Sequence, residues 1–221
     1  MEKEYKQERL SCATREDWLA ARFVGIGGSE AASAIGKNPW QTPSELWELK
    51  TGRREPKDLS DNPAVAQGVR MEPALRTMYA ALHPEYRVEH YPYDIIYQPN
   101  RRWLFATLDG ELIETRNGRR GILEIKTATP TGKAGWSEWA DGKMKPSYFI
   151  QTLHQLLATG YDFVRLFAAL YSLNGDITLR EYEIERTDHL DDLDWLLQKE
   201  ADFWRYVEND TNTPPPAPLV L

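Results

Sequence analysis

The apolar positions change period part-way along the chain. Up to residue 82 they recur every three or four residues, as on helix faces. After His83-Pro84 they alternate or gather in short runs, as in strands. Thr14 followed by Asp17 marks a first helix start, with Trp18, Leu19 and Phe23 along one side. Gly25, Gly27 and Gly28 then predict a turn able to present backbone amides. Ser29 reads as the N-cap of a short helix over 30–35, closed by Gly36. Thr42 caps the next helix, with Pro43 at its first position and Gly52 past its end. After a polar loop over 53–62, Asn62-Pro63 opens a longer helix to about residue 82. Its expected apolar stripe is Val65, Val69, Leu75, Met78 and Leu82.

Strands are expected over 86–90, 103–107, 110–114 and 121–127, with Asn117-Gly118 as a hairpin turn between the last two. Residues 128–146 read as a long loop with room for one helical turn. Ser147 opens a helix to residue 159, ended by Gly160. Strands follow over 163–171 and 178–184. Thr187 opens a last helix to about residue 207, with Leu190, Leu193, Leu197, Ala201 and Trp204 on one face. This order predicts a mixed α/β (α+β) domain with one central sheet, spanning residues 1–210. Residues 211–221 form a Pro-rich tail, expected to be extended and frayed.

Charge at first speaks against an anionic partner. The 221 residues carry 27 basic and 34 acidic side chains, a net of −7. The acidity is segregated, however: residues 176–221 alone sum to −8, which leaves 1–175 close to neutral. One cysteine, Cys12, excludes an internal disulfide framework and a cysteine-rich zinc site, and fits a reducing cytoplasm. The charged start Met1-Glu2-Lys3-Glu4-Tyr5-Lys6 is not a signal peptide, and no run approaches a membrane span.

The sharpest chemical feature is Leu108-Asp109-Gly110 joined through the hairpin to Glu124-Ile125-Lys126. Residues two apart on a strand share a face, so Glu124 and Lys126 project together while Ile125 enters the core. The hairpin returns Asp109 towards Glu124. Carboxylate oxygens suit a hard divalent cation, and a lysine beside them can position or help deprotonate an attacking water. The apolar flanks Ile122, Leu123 and Ile125 mark a central strand. An exposed ion pair on a strand has the same sequence pattern, so the pair alone leaves both readings open. The four histidines have no metal-ligand spacing. The glycine turn lacks the Gly-x-x-x-x-Gly-Lys-[Ser/Thr] pattern of a nucleotide-binding loop.

Taken together, these segments resemble the lambda-exonuclease-like (YqaJ-type) alkaline exonucleases of phage recombination, in the PD-(D/E)xK nuclease superfamily. The likeness rests on Arg22-Phe23-Val24-Gly25-Ile26-Gly27-Gly28-Ser29, Gly68-Val69-Arg70-Met71-Glu72-Pro73, Asp109-Gly110, Leu123-Glu124-Ile125-Lys126-Thr127 and the stretch from Tyr148 to Gln155, in that order. Leu108 stands where the superfamily name implies proline. The resemblance implies a restriction-endonuclease-like fold and a Mg²⁺-dependent 5′→3′ exonuclease on linear double-stranded DNA that leaves a 3′ overhang. Glu72, Asp109, Glu124 and the carbonyl of Ile125 would hold two Mg²⁺ ions, with Mn²⁺ as a substitute. Lys126 and Gln151 would serve the water. Arg22 and Ser29 would form a pocket for the terminal 5′-phosphate. The resemblance also implies a homotrimeric ring and a single-strand annealing protein as partner, in the cytoplasm of a bacterial host. An endonuclease or nickase on the same fold, and a non-catalytic DNA- or partner-binding module, are the alternatives.

Basic residues expected to track DNA include Lys37, Lys133, Lys143 and Lys145, with Arg76 among a wider set. Trp136 and Trp139 could stack on bases or join the core, and Trp40 is a candidate wedge at a duplex end.

Overall fold

The computed structural model describes residues 7–59, 61–140, 142–210 and 212–216. In chain order the elements are β1 (Glu8–Ser11), α1 (Arg15–Ala21), a single 3-10 turn (Arg22–Val24), α2 (Gly28–Ala34), α3 (Pro43–Lys50) and α4 (Pro63–Leu82). Then come β2 (Tyr86–Glu89), β3 (Asp94–Gln98), β4 (Arg101–Ala106), β5 (Gly110–Glu114), β6 (Arg120–Ala128), α5 (Gly132–Ser137) and α6 (Pro146–Thr159). The chain ends with β7 (Phe163–Tyr171), β8 (Ile177–Glu185), a 3-10 turn (Arg186–His189) and α7 (Leu190–Asn209).

Local chemistry accounts for most boundaries. Thr42 and Glu45 form a reciprocal capping box ahead of Pro43, and Asn62 accepts from the N–H groups of Ala64 and Val65. Gly118 and Gly160 take the left-handed backbone that the hairpin and the end of α6 require. Two caps differ from the sequence expectation. Gly27, not Ser29, is the N-cap of α2, and α6 begins at Pro146 after Lys145 rather than at Ser147. The helix start moves because Glu30 reaches back to the Gly27 N–H.

Among the described residues there are two sheets, in place of the one central sheet expected. Five strands run in the order β2-β5-β6-β7-β8, with β6 and β7 parallel and the other pairs antiparallel. The other three run β1-β3-β4. Strands β1 and β3 carry no clean alternation. β3 is a short buried run, Ile95 to Gln98, whose character comes from its neighbours. The glycine turn docks on this smaller sheet: Ile26 bridges Leu104, its N–H donating to the Trp103 carbonyl at 2.6 Å. A Cβ on Gly25 would lie 2.5 Å from that carbonyl oxygen, so only glycine permits the approach.

The larger sheet is covered on both faces. Leu75 and Tyr79 of α4 meet Leu123, Ile125, Phe163 and Phe167. On the other face Leu153, Leu156 and Leu157 of α6 and Leu193 and Leu196 of α7 meet Ile122, Val164 and Leu166. The alternation along β6 therefore sends Ile125 towards α4 and Glu124 and Lys126 towards α6. The apolar stripe expected on α4 is corrected: Val65, Val69, Met78 and Leu82 are exposed, and the buried pair is Leu75 and Tyr79. On α7 the buried line is Leu193, Leu196, Glu200, Phe203 and Trp204, and Leu190 is exposed. The described part of the tail touches the domain. Pro215 is buried, and its carbonyl accepts from the Ser44 hydroxyl of α3. Residues 211 and 217–221 of that tail, and Met1 to Lys6, lie outside the described residues. Among the described residues no helix is long and apolar enough to cross a membrane.

Candidate active site

The central strand of the larger sheet, β6, brings the expected residues together. A cavity of about 210 Å³ is lined by Arg22, Gly28, Ser29, Glu72, Asp109, Glu124, Ile125, Lys126, Gln151 and Gln155, with Gly68, Thr107 and Thr127 completing the wall. Six segments contribute: the 3-10 turn, α2, α4, the β4–β5 link, β6 and α6. Gly68 and Glu72 lie one turn apart on α4, so one helix face supplies both a bare backbone and a carboxylate.

Glu124 is buried, and three side chains hold it. Lys126 Nζ lies 2.6 Å from its Oε1, Gln151 Nε2 donates to the same oxygen at 2.7 Å, and Gln155 Nε2 donates to Oε2 at 2.5 Å. Lys126 also donates to Gln151 Oε1 at 3.0 Å and lies over the Tyr148 ring. The Ile125 N–H donates to Asp109 Oδ2 at 2.7 Å, which ties the end of the β4–β5 link to the central strand. Glu72 pairs with Arg76, whose Nε also donates to the Asp109 carbonyl. Arg76 is therefore part of the site's framework, not a residue free to track DNA.

Electrostatics follow from this crowding. Burial and the neighbouring charges of Glu124 and Glu72 hold the Asp109 carboxyl well above the usual range, against the pull of Lys126. Burial likewise raises Glu72, partly offset by Arg76 and reinforced by Glu124. For Lys126, burial opposes the charge, but Glu124 and Asp109 outweigh it and keep the ammonium protonated. A protonated ammonium can orient a water and offset phosphate charge, but it cannot accept a proton.

A hard divalent cation fits this donor set. Three carboxylates line one cavity, two of them raised by burial and by neighbouring carboxylates, and all the donors are oxygens. Among the described residues, no three His, Cys, Asp or Glu side chains are grouped as a ready-made metal cage; Arg76 engages Glu72 and Lys126 engages Glu124.

The glycine turn delivers Arg22 and Ser29 to the same cavity. Arg22 stacks on Trp18, 4.4 Å from the ring centroid, and no ion pair or hydrogen bond holds its guanidinium among the described residues. Burial lowers its pKa, with Glu30 opposing. The nearby Lys50 is already committed to Glu30 at 2.8 Å.

A family model described as the YqaJ-like viral recombinase domain matches residues 17–162, about two thirds of the chain. The chain belongs to the YqaJ-like viral recombinase family. It is 31% identical over 191 residues to the uncharacterized protein YqaJ of Bacillus subtilis (strain 168), covering 86% of this chain and 56% of that protein. The chain thus spans little more than half the length of that curated relative. Its fold is similar to that of the alkaline exonuclease LHK-Exo from Laribacter hongkongensis, with TM-score 0.67, 22% identity, and 88% of this chain and 93% of that one covered. The complex of LHK-Exo with dAMP gives TM-score 0.68 at 23% identity. A restriction-endonuclease-like fold, expected from the sequence, is the one this chain adopts.

Elsewhere the match to expectation is mixed. Lys37, Lys133 and Lys143 are exposed, whereas Lys145 pairs with Glu138 at 2.8 Å. Trp139 is a core residue beneath Tyr148 and Tyr182 and cannot stack on bases, while Trp40 is 91% exposed. Sequence reasoning gave no role to Gln155. The signal was present: it lies four residues after Gln151, on the same helix face.

Proposed function

We propose that this chain is a divalent-metal-dependent deoxyribonuclease that degrades linear double-stranded DNA from its 5′ ends and leaves a 3′ single strand. One observation carries the reading. A single cavity joins Asp109, Glu124, Lys126 and Glu72 to an Arg22 guanidinium that makes no ion pair or hydrogen bond among the described residues and feels the charge of Glu30. A hydrolase that cuts anywhere needs the first group alone; one that starts from a phosphorylated end also needs the second. The dAMP complex of LHK-Exo supports a mononucleotide product.

In this proposal Asp109, Glu124 and Glu72, with the Ile125 carbonyl, hold Mg²⁺ ions, or Mn²⁺ in their place. The metal supplies Lewis-acid polarisation of the phosphate and an acidified water. Arg22 grips the terminal phosphate with two parallel N–H groups, and the Ser29 hydroxyl adds a further donor. The Lys126 ammonium, fixed by Glu124 and Gln151, orients the water and offsets charge on the scissile phosphate. Residues 1–210 form the nuclease unit. Lys37, Lys133 and Lys143 follow the DNA backbone, and Lys145 does so once released from Glu138. The family's homotrimeric ring, its single-strand annealing partner and action in a bacterial host's cytoplasm belong to the same proposal. The exposed apolar residues of α4 are a surface on which copies could pack.

The test is a time course on end-labelled linear duplex with and without a 5′-phosphate, beside covalently closed circular DNA, in Mg²⁺, Mn²⁺ or EDTA. The reading expects metal-dependent loss of the 5′-ended strand from linear DNA alone. Cutting of the closed circle assigns an endonuclease. Full activity in Asp109→Ala or Lys126→Ala rejects the site.

A further inference from the structure

We infer that Gln155 is a positioning residue that sets the cation affinity of Glu124, and that Gln151 and Gln155 act together as a neutral clamp on that carboxylate. The inference rests on the proposed metal-dependent site and deepens it. Glu124 is 3% exposed, so both its oxygens must find donors within the protein. Donors of two kinds are present. Lys126 brings a positive charge to Oε1, and the two amides bring none. A second cation on Oε2 would outnumber the single negative charge that Lys126 already balances, and would repel an incoming metal. Gln155 satisfies Oε2 at 2.5 Å and adds no positive charge beyond that of Lys126.

The clamp is rigid for structural reasons. Gln151 and Gln155 lie one turn apart on α6 and reach the two oxygens of one carboxyl group from the same side, which fixes its plane. Gly28 of α2 packs over both: a Cβ there would lie 3.2 Å from Gln151 Cγ and 3.3 Å from Gln155 Cγ. The Gln155 amide has one workable orientation. Turned over, its oxygen would face the Glu124 carboxylate. As placed, its Oε1 is buried without a partner among the described residues, and the bond to Glu124 outweighs that cost. Partners that orient a metal-holding carboxylate in this way typically govern affinity about 10- to 100-fold.

The experiment measures Mn²⁺ binding to the full chain by calorimetry and by electron paramagnetic resonance, independent of DNA cleavage. Gln155→Leu should weaken Mn²⁺ binding at least about tenfold. Gln155→Met, which keeps length and removes the amide, should do the same and serves if the leucine variant fails to fold. Leu157→Ala, a core change on the same helix, should lower stability without altering Mn²⁺ affinity. Wild-type affinity in a folded Gln155→Met protein overturns the clamp and leaves the nuclease proposal intact. Equal weakening in Leu157→Ala also overturns it, since general loosening then explains the effect. A wild-type chain that binds no Mn²⁺ overturns both.

Discussion

Replacing His154 with leucine tests the packing that presents α6 to the site. His154 is wholly buried, and its Nδ1 lies 2.7 Å from Glu200 Oε1 while its Nε2 lies 2.9 Å from the Phe105 carbonyl. Both neighbours offer acceptor oxygens, an arrangement that a doubly protonated ring satisfies. Burial would lower its pKa, but Glu200, then the Phe105 carbonyl and Glu30, outweigh burial and the net direction is up. This ion pair fastens α6 to α7 and β4. His154→Leu strands the Glu200 carboxylate, whose other oxygen has no hydrogen-bond partner among the described residues. Removing one member of a buried pair costs about 3–5 kcal/mol. For a chain of this size that lowers Tm by roughly 6–20 °C. His154→Leu/Glu200→Leu should recover most of the loss, because no charge is then left buried. The pH dependence has a defined sign. A folded pKa raised above the ordinary 6.5 gives stability that is complete below that value and lost as pH rises through the folded one. Urea unfolding followed by tryptophan fluorescence at several pH values between 6 and 10 reads both effects. A single variant within about 1 kcal/mol of wild type, well short of the expected cost, refutes the argument. So does a double variant that loses stability on alkalinisation as steeply as wild type.

The other expectations concern the site and the sheet. Asp109→Ala and Lys126→Met should each lower DNA degradation roughly 100-fold or more with the fold intact, as judged by near-ultraviolet circular dichroism. Arg22→Ala should slow 5′-phosphorylated ends about 10- to 100-fold, the worth of a charge-assisted contact, and unphosphorylated ends far less; equal slowing of both rejects the phosphate pocket. Gly28→Ala should leave secondary structure unchanged yet cut the rate roughly tenfold by pressing on both glutamines, measured in the same end-label assay. Gly121→Ala places a Cβ 2.1 Å from a Phe163 ring carbon and should cost about 1–3 kcal/mol in urea unfolding.

The net charge of −7 and the proposed handling of an anionic polymer are compatible for a visible reason. Three of the acids, Glu72, Asp109 and Glu124, line the cavity where cations would gather. Others are spent in structural pairs. Glu111 is buried against Arg9, Arg120 and the Tyr161 hydroxyl, and Glu185 pairs with Arg119 and Arg165. The outward face of α7, with Asp191, Asp194 and Glu208 exposed, accounts for much of the acidic segment.

The sequence by itself determined the elements whose signals are local. Capping residues, Pro-Gly punctuation and the Asn117-Gly118 turn marked α3, α4, α6 and the β5–β6 hairpin, because such signals act within a few residues. Period-two alternation also determined that Glu124 and Lys126 share one face of β6 and that Ile125 faces the other. Tertiary structure decided what depends on distant partners. Strand β3 is buried because β1 and β4 flank it, and nothing in Asp94 to Gln98 states that. The inner face of α4 was set by which of its apolar residues met Phe163 and Phe167. Arg76 reads as a surface cation until Glu72 and the Asp109 carbonyl are seen to hold it. Gln155 reads as an ordinary helical glutamine until α6 lies against β6 and its amide meets the carboxylate of Glu124. A side chain's type is written in the sequence, but its role depends on which groups the fold brings within about 3 Å of it, the reach of a hydrogen bond.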